Sequence, residues 1–179
     1  MMYYDLSVPE DAFSLASRLR QLDKYELAVM NSDPLTALLN PFRFDRPRSI
    51  TFSIYIDNQV EGMWGCFPSK KNPAIASMWL LGSDRLTRSY TWLKSNKRMF
   101  AWATNRYKVL YNYILDEHTK NIRWLKWLGF KFSKRALLVK NVKLLYFYYE
   151  SSKTRVEPID DLCGPRWITQ FKSENGQFD

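Results

Sequence analysis

His118 is the only histidine in a chain of 179 residues, and imidazole is the side chain whose ordinary titration lies nearest neutral pH. Two readings are open: a proton acceptor at a site, or a partly exposed loop residue. Asp23 and Glu26 stand less than one helical turn apart in a helical stretch, so their carboxylates share a face. They either line a site for an amine or pair with cations on the helix surface. Glu61 is the carboxylate nearest the central strands, as a general base or as a solvated side chain. Tyr111 and Tyr113 alternate on one strand, facing a cleft or filling the core. Gly82 to Ser89 reads GSDRLTRS after an apolar run. There Ser83 or Thr87 can cap a helix, while Arg85 and Arg88 are either solvated or able to contact a phosphate. Cys66 and Cys163 lie far apart, with no Cys/His spacing that suits zinc, so no metal is expected. Neither a nucleophile elbow nor a GxxxxGK[ST] loop occurs.

The elements that carry these residues follow from periodicity. Met2 to Leu6 reads as an edge strand. Ser7 with Glu10 forms a capping box, and apolar spacing from Phe13 to Leu27 predicts one helix reaching about Met30. Asp33-Pro34 opens a short helix through Leu39. Ile50, Phe52, Ile54 and Ile56 alternate with polar residues, Asp57-Asn58 turns, and Val60 to Phe67 returns as a hairpin. Ala74 to Leu81 is a buried strand, and Thr87 or Ser89 starts a helix to about Asn105. Val109 to Leu115 is a strand and Asp116 to Leu128 a helix. Two antiparallel strands follow around Asn141, Phe130–Val139 and Lys143–Glu150. The helix containing Trp124, Leu125, Trp127 and Leu128 reads as buried, stopped by Gly129, with Phe130 entering the core.

Hydrophobic residues make up 46% and aromatics 16%, enough for a packed core, so wholesale disorder is excluded. The aromatics follow core periodicity rather than forming an exposed stacking platform. The net charge of +9 suits an anionic partner such as nucleic acid, a nucleotide or an acidic protein, or simply a soluble basic surface. Two distant cysteines suggest reduced thiols in a cytosol. Met1 to Leu6 has no signal-peptide character, and no stretch approaches the roughly 20 apolar residues of a membrane span.

This order of elements, with a helix ending Leu128-Gly129-Phe130 before a strand, resembles the GNAT fold of CoA-dependent N-acetyltransferases. The segments Trp79–Asp84 (WLLGSD) and Ile122–Phe130 (IRWLKWLGF) are more similar still to a GNAT-like family of short-tailed bacteriophages. Members of that family are described as acetyltransferases or as internal virion proteins. The resemblance covers about residues 2–150 and leaves 151–179 as a C-terminal extension. It implies an α+β fold with a mixed central sheet of six to seven strands and helices on both faces. It also implies two parallel strands that part beside Gly82. Acetyl-CoA would then lie against Leu81, Gly82, Ser83, Arg85, Thr87, Arg88 and Ser89.

The family pattern is incomplete in this chain. Its phosphate-binding turn has two glycines, where this one has Gly82 alone and adds the negative charge of Asp84. The tyrosine that acts as general acid corresponds to Leu125, which has no proton to give. An asparagine near the pantetheine arm corresponds to His118. These departures imply a degenerate acetyl-CoA site, and the resemblance to the phage family implies a GNAT-fold protein working in virion assembly or host takeover. It would bind a phage or host protein through basic residues and the tail segment Trp167–Phe171, in the host cytoplasm or the virion. The alternative is an active acetyl-CoA-dependent N-acetyltransferase, with His118, Glu61 and Tyr111 as catalytic candidates. A third reading is a basic nucleic-acid-binding domain.

Overall fold

The computed structural model describes residues 1–43 and 49–152. Among the described residues the α-helices and strands run β1 (Met2–Leu6), α1 (Pro9–Ala16), α2 (Gln21–Val29), α3 (Pro34–Leu39), β2 (Ile50–Ile56), β3 (Gln59–Pro68), β4 (Ile75–Gly82), α4 (Asp84–Arg88), α5 (Tyr90–Arg106), β5 (Val109–Leu115), α6 (Thr119–Trp127), β6 (Lys131–Val139) and β7 (Val142–Glu150). The extension from residue 153 on, with its Trp167–Phe171 segment, lies outside the described residues.

Seven strands form one sheet in the order β1-β2-β3-β4-β5-β7-β6. Every neighbouring pair is antiparallel except β4 and β5. The fold is therefore α+β with a mixed, mostly antiparallel sheet, as its segment order predicts. Helices cover both faces. On one, Ala12, Leu15 and Leu38 of α1 and α3 pack on Val60 and Met63. On the other, Trp92, Met99, Trp102 and Ala103 of α5 and Leu125 of α6 pack on Phe52, Trp64 and Leu110.

Both hairpin turns use asparagine where the backbone must enter the left-handed region. Asp57 and Asn58 have φ of 50° and 62°, and Lys140 and Asn141 have 50° and 63°. Two such residues in succession match the twist of the flanking strands. Ser89 caps α5 by accepting the Trp92 N–H at 3.2 Å, and Asp33 caps α3 by accepting that of Thr36 at 3.0 Å.

The end of α6 is built as the sequence predicts. Gly129 has φ +97°, Phe130 N–H donates to the Leu125 carbonyl at 3.0 Å, and Gly129 N–H to Lys126 at 3.0 Å. That paired arrangement needs a residue free of Cβ at the turn. Phe130 then enters an aromatic nest of Phe100, Phe147 and Tyr149. Its burial contributes roughly 1.5–3 kcal/mol. Trp127 corrects the expectation of a wholly buried helix: it is 55% exposed, with the Lys97 ammonium 4.2 Å above its ring.

The N-terminal helix is also corrected. It breaks between Ala16 and Gln21, where Leu19 bridges to Ser83 and Arg20 N–H donates to the Gly82 carbonyl at 3.0 Å. Strand contacts replace helical bonds there, without Gly or Pro. The cap differs too. Asp11, not Glu10, reaches back to the Val8 N–H at 3.0 Å, and the Ser7 hydroxyl accepts from Ser53.

Candidate functional site

The two parallel strands pair only over Ile75–Ser77 and Val109–Tyr111. Beyond that, β4 stays with β3 as far as Gly82, and β5 stays with β7 as far as Leu115. Each keeps its antiparallel partner, so the two part from each other. Asn112 marks the fork: its side-chain amide donates to the Met78 carbonyl at 2.8 Å, replacing a lost ladder bond. A cavity of about 680 Å³ fills the gap and reaches from α2 on one face of the sheet to α6 on the other. Met78 to Leu81, Tyr113, Ile114 and Phe147 form its walls.

The open end of this wedge is tied together by α2. Asp23 accepts the Gly82 N–H at 3.2 Å, and Glu26 accepts the Leu115 N–H at 3.1 Å. Carboxylates less than one turn apart thus hold the ends of the two diverging strands. Arg20 grips Asp23 in a two-pronged contact at 2.8 and 3.0 Å. It also donates to Asn121 Oδ1 at 3.4 Å. That contact orients the Asn121 amide so that its nitrogen donates to His118 Nδ1 at 3.3 Å. The His118 proton then belongs on Nε2, which lies 3.4 Å from Glu26 and 3.7 Å from Asp23.

His118 is therefore a buried member of a polar cluster, not a loop residue at the surface. Burial and the Arg20 charge push its pKa down to about 4, with only the Leu22 backbone working the other way. Burial pushes Glu26 up to about 7, helped by Asp23 and opposed by the Leu115 amide and Arg20. Asp23 is raised by burial against the pull of Arg20.

These opposite displacements partly cancel in the pH dependence of stability, with the raised Asp23 adding to the Glu26 side. The native state holds a proton on Glu26 that the unfolded chain releases between pH 4.5 and about 7, so this group's contribution falls as pH rises. The unfolded chain holds a proton on His118 that the native state lacks between about pH 4 and 6.5, so this contribution rises. His118→Gln removes one side of the balance. Its unfolding free energy, from urea titrations, should fall from mildly acidic to neutral pH by roughly 3 kcal/mol more than the parent's.

The remaining predicted residues divide. Leu81 lines the cavity. Gly82 is closely packed, since a Cβ there would lie 2.7 Å from a Leu86 methyl carbon and 3.2 Å from the Glu61 carbonyl. Ser83 caps α4 through Leu86 N–H at 3.3 Å, and its own N–H goes to the Glu61 carbonyl at 2.8 Å. Thr87 bonds the Asp84 carbonyl at 3.0 Å. Arg85 turns away to Asp57 and Glu61. Arg88 is exposed beside the loop.

Glu61 corrects the expectation of a solvated base. It is only 2% exposed, sits in the bulge opposite Tyr55, accepts from Arg18 at 3.1 Å and from the Ser83 hydroxyl, and does not face the cavity. Tyr111 also lies outside the cavity, whereas Tyr113 lines it. Asp23 and Glu26 belong to the site through contacts that no local pattern reveals.

A second groove of about 480 Å³ runs between α5 and α6, lined by Tyr90, Leu93, Lys94, Lys97, Trp124 and Trp127. The Lys94 ammonium sits 4.7 Å from the Tyr90 ring centre. Trp124 lines both spaces, and its buried indole N–H has no hydrogen-bond partner among the described residues.

No protein-family model and no curated protein matches the sequence. Solved structures do match the fold. Spermidine N-acetyltransferase from Vibrio cholerae, solved with CoA and spermine, superposes with a TM-score of 0.65 at 11% identity, over 86% of this chain and 97% of that one. AAC(6')-Ib, solved with ribostamycin and coenzyme A, gives 0.61 at 10% identity, over 83% and 93%. A GNAT-family acetyltransferase from Streptococcus pneumoniae gives 0.56 at 11% identity, over 85% and 100%. The fold is that of GNAT acetyltransferases.

Proposed function

We propose that this chain, with its GNAT fold, is an acyl-CoA-dependent N-acyltransferase. The observation that carries the reading is the parting of β4 from β5 over a cavity that crosses the sheet. A strand edge without its ladder partner offers N–H and C=O groups to an extended chain bearing amides. The unpartnered Trp124 indole N–H offers a further donor inside that wall, so the residues present fit an amide-bearing arm. The aromatic and cationic groove fits a nucleotide: Tyr90 and Trp127 offer faces to a base, and Lys94, Lys97 and Arg88 offer charge to phosphates. When bound, acyl-CoA would supply the acyl group as an activated thioester.

The chain's own residues would handle the acceptor. An amine entering from the α2 side meets Glu26, whose raised pKa leaves it a carboxylate able to take a proton near neutral pH. The neutral His118 and the Leu115 amide hold Glu26 in place. Losing a proton to Glu26 frees the amine lone pair to attack a carbonyl carbon. Leu125, where the resemblance implies a proton donor, would offer the thioester sulfur none.

A second reading, a GNAT-fold binding protein with a disused cofactor site, is favoured by the capped loop. Asp23 occupies the Gly82 amide, Ser83 caps its own helix, and Asp84 adds negative charge. The acetyltransferase neighbours lend no support to a role in virion assembly. Calorimetric titration with acetyl-CoA separates the two readings. The enzyme reading expects micromolar binding, weakened about tenfold by Arg88→Ala through loss of one charge-assisted bond. No heat at millimolar acetyl-CoA would favour the binding protein.

A further inference from the structure

Among the described residues, the face of the sheet that carries α1 and α3 is only partly covered over β5 and β7, and the end of α2 reaches just the far turn, where Lys140 bonds Asn31. In register there, Tyr111 stands beside Tyr148 and Tyr113 beside Tyr146. Their rings are contiguous: Tyr111 lies 6.0 Å and Tyr113 5.2 Å from Tyr146, and Tyr146 stacks on Tyr148 at 5.8 Å with 23° between planes. None of the four is buried, and Tyr113 is 37% exposed. These four rings are an exception to the core periodicity that the aromatics otherwise follow.

The lower edge of the same face is basic. Lys131 stands opposite Tyr148 on β6. Lys108 precedes β5, and its N–H bonds the Ala74 carbonyl at 2.8 Å, which puts Lys70 and Lys71 of the β3–β4 loop at the same edge. All four lysines are exposed. Glu150 is also there, 3.7 Å from Lys131, so Lys70, Lys71 and Lys108 supply most of the positive field.

We propose that the four-tyrosine face, edged by these lysines, is a stacking platform for single-stranded nucleic acid. Each base has a flat face that an exposed ring can meet without regard to sequence, and lysines at the margin follow the backbone phosphates. A duplex hides those base faces, so the platform discriminates by strandedness. The +9 charge of the chain has the sign that such a ligand needs. None of this depends on acyl transfer.

Fluorescence anisotropy with a fluorescein-labelled oligothymidylate of about 12 nucleotides tests the proposal. Binding is expected at roughly 50 mM salt, with a loss of about tenfold or more by 200 mM. Tyr146→Ala should weaken it about tenfold, whereas Tyr146→Phe, which keeps the ring, should leave it unchanged. Lys108→Ala should weaken binding and flatten the salt dependence. Circular dichroism establishes that each variant is folded before it is scored. The proposal is overturned by absence of binding, by equal affinity for a duplex, or by unchanged affinity in folded Tyr146→Ala. It is also overturned if sedimentation shows a dimer that Tyr146→Ala dissociates, since the face would then cover a second copy of the chain.

Discussion

Glu26→Gln should lower kcat/KM for acyl transfer by about 10²–10⁴-fold while leaving acetyl-CoA affinity unchanged. Glutamine keeps the shape of the side chain and an oxygen for the Leu115 amide, so the wedge stays tied. What disappears is the proton acceptor. The pH profile carries the sharper signature. With burial holding the Glu26 pKa at about 7, the parent rate should climb with pH through neutrality and level off above it. The variant should show a low rate without that limb. A folded Glu26→Gln protein with parental kcat/KM would reduce Glu26 to a structural tie and move proton transfer elsewhere.

The second large effect is on stability. Arg20→Ala should cost about 3–5 kcal/mol, seen as a lower urea midpoint, because it leaves a buried carboxylate without its partner. The Arg20 and Asp23 side chains are 11% and 4% exposed, so water cannot replace the lost contact. Arg20→Lys keeps the charge but not the two-pronged grip, and should recover only part of the loss. Arg20→Ala combined with Asp23→Asn removes the stranded charge and should be more stable than Arg20→Ala alone. If Arg20→Ala cost under about 1 kcal/mol, the cluster would have to be far better solvated than its burial implies.

What was legible in the sequence depended on how locally each feature is determined. The hairpin turn at Asp57-Asn58 and the Gly129 stop were readable because left-handed backbone demands particular residues. The strands from Ile50 to Phe67 were readable as strands from their alternation, which did not foretell that both of their faces are buried. The parted strands at Gly82 were foreseen only through the resemblance to the GNAT fold. The break before α2 was not readable. No Gly or Pro stands there, and its cause is a contact with Ser83, far along the chain. Glu61 misled for a similar reason: its burial follows from a bulge and from Arg18, neither written in the residues around it. His118 looked like a loop residue because Arg20, Glu26 and Asn121 enclose it only after folding. The exposure of Trp127 was not legible because hydrophobic content does not report which side of α6 a residue occupies. The tyrosines of β5 and β7 have the alternation of a core strand. That pattern cannot say whether a helix arrives to cover them.

The two carboxylate ties of α2 have a consequence for the order of assembly. Their acceptors are in a nine-residue helix, while the amides they hold belong to residues 59 and 89 positions later. A helix of that length has little persistence by itself in water. Its docking must therefore wait until both strands have found their antiparallel neighbours, after the costly closure of long chain loops. Asn112 crosses the gap from within the sheet, and α2 seals a fork that the antiparallel pairings have already set.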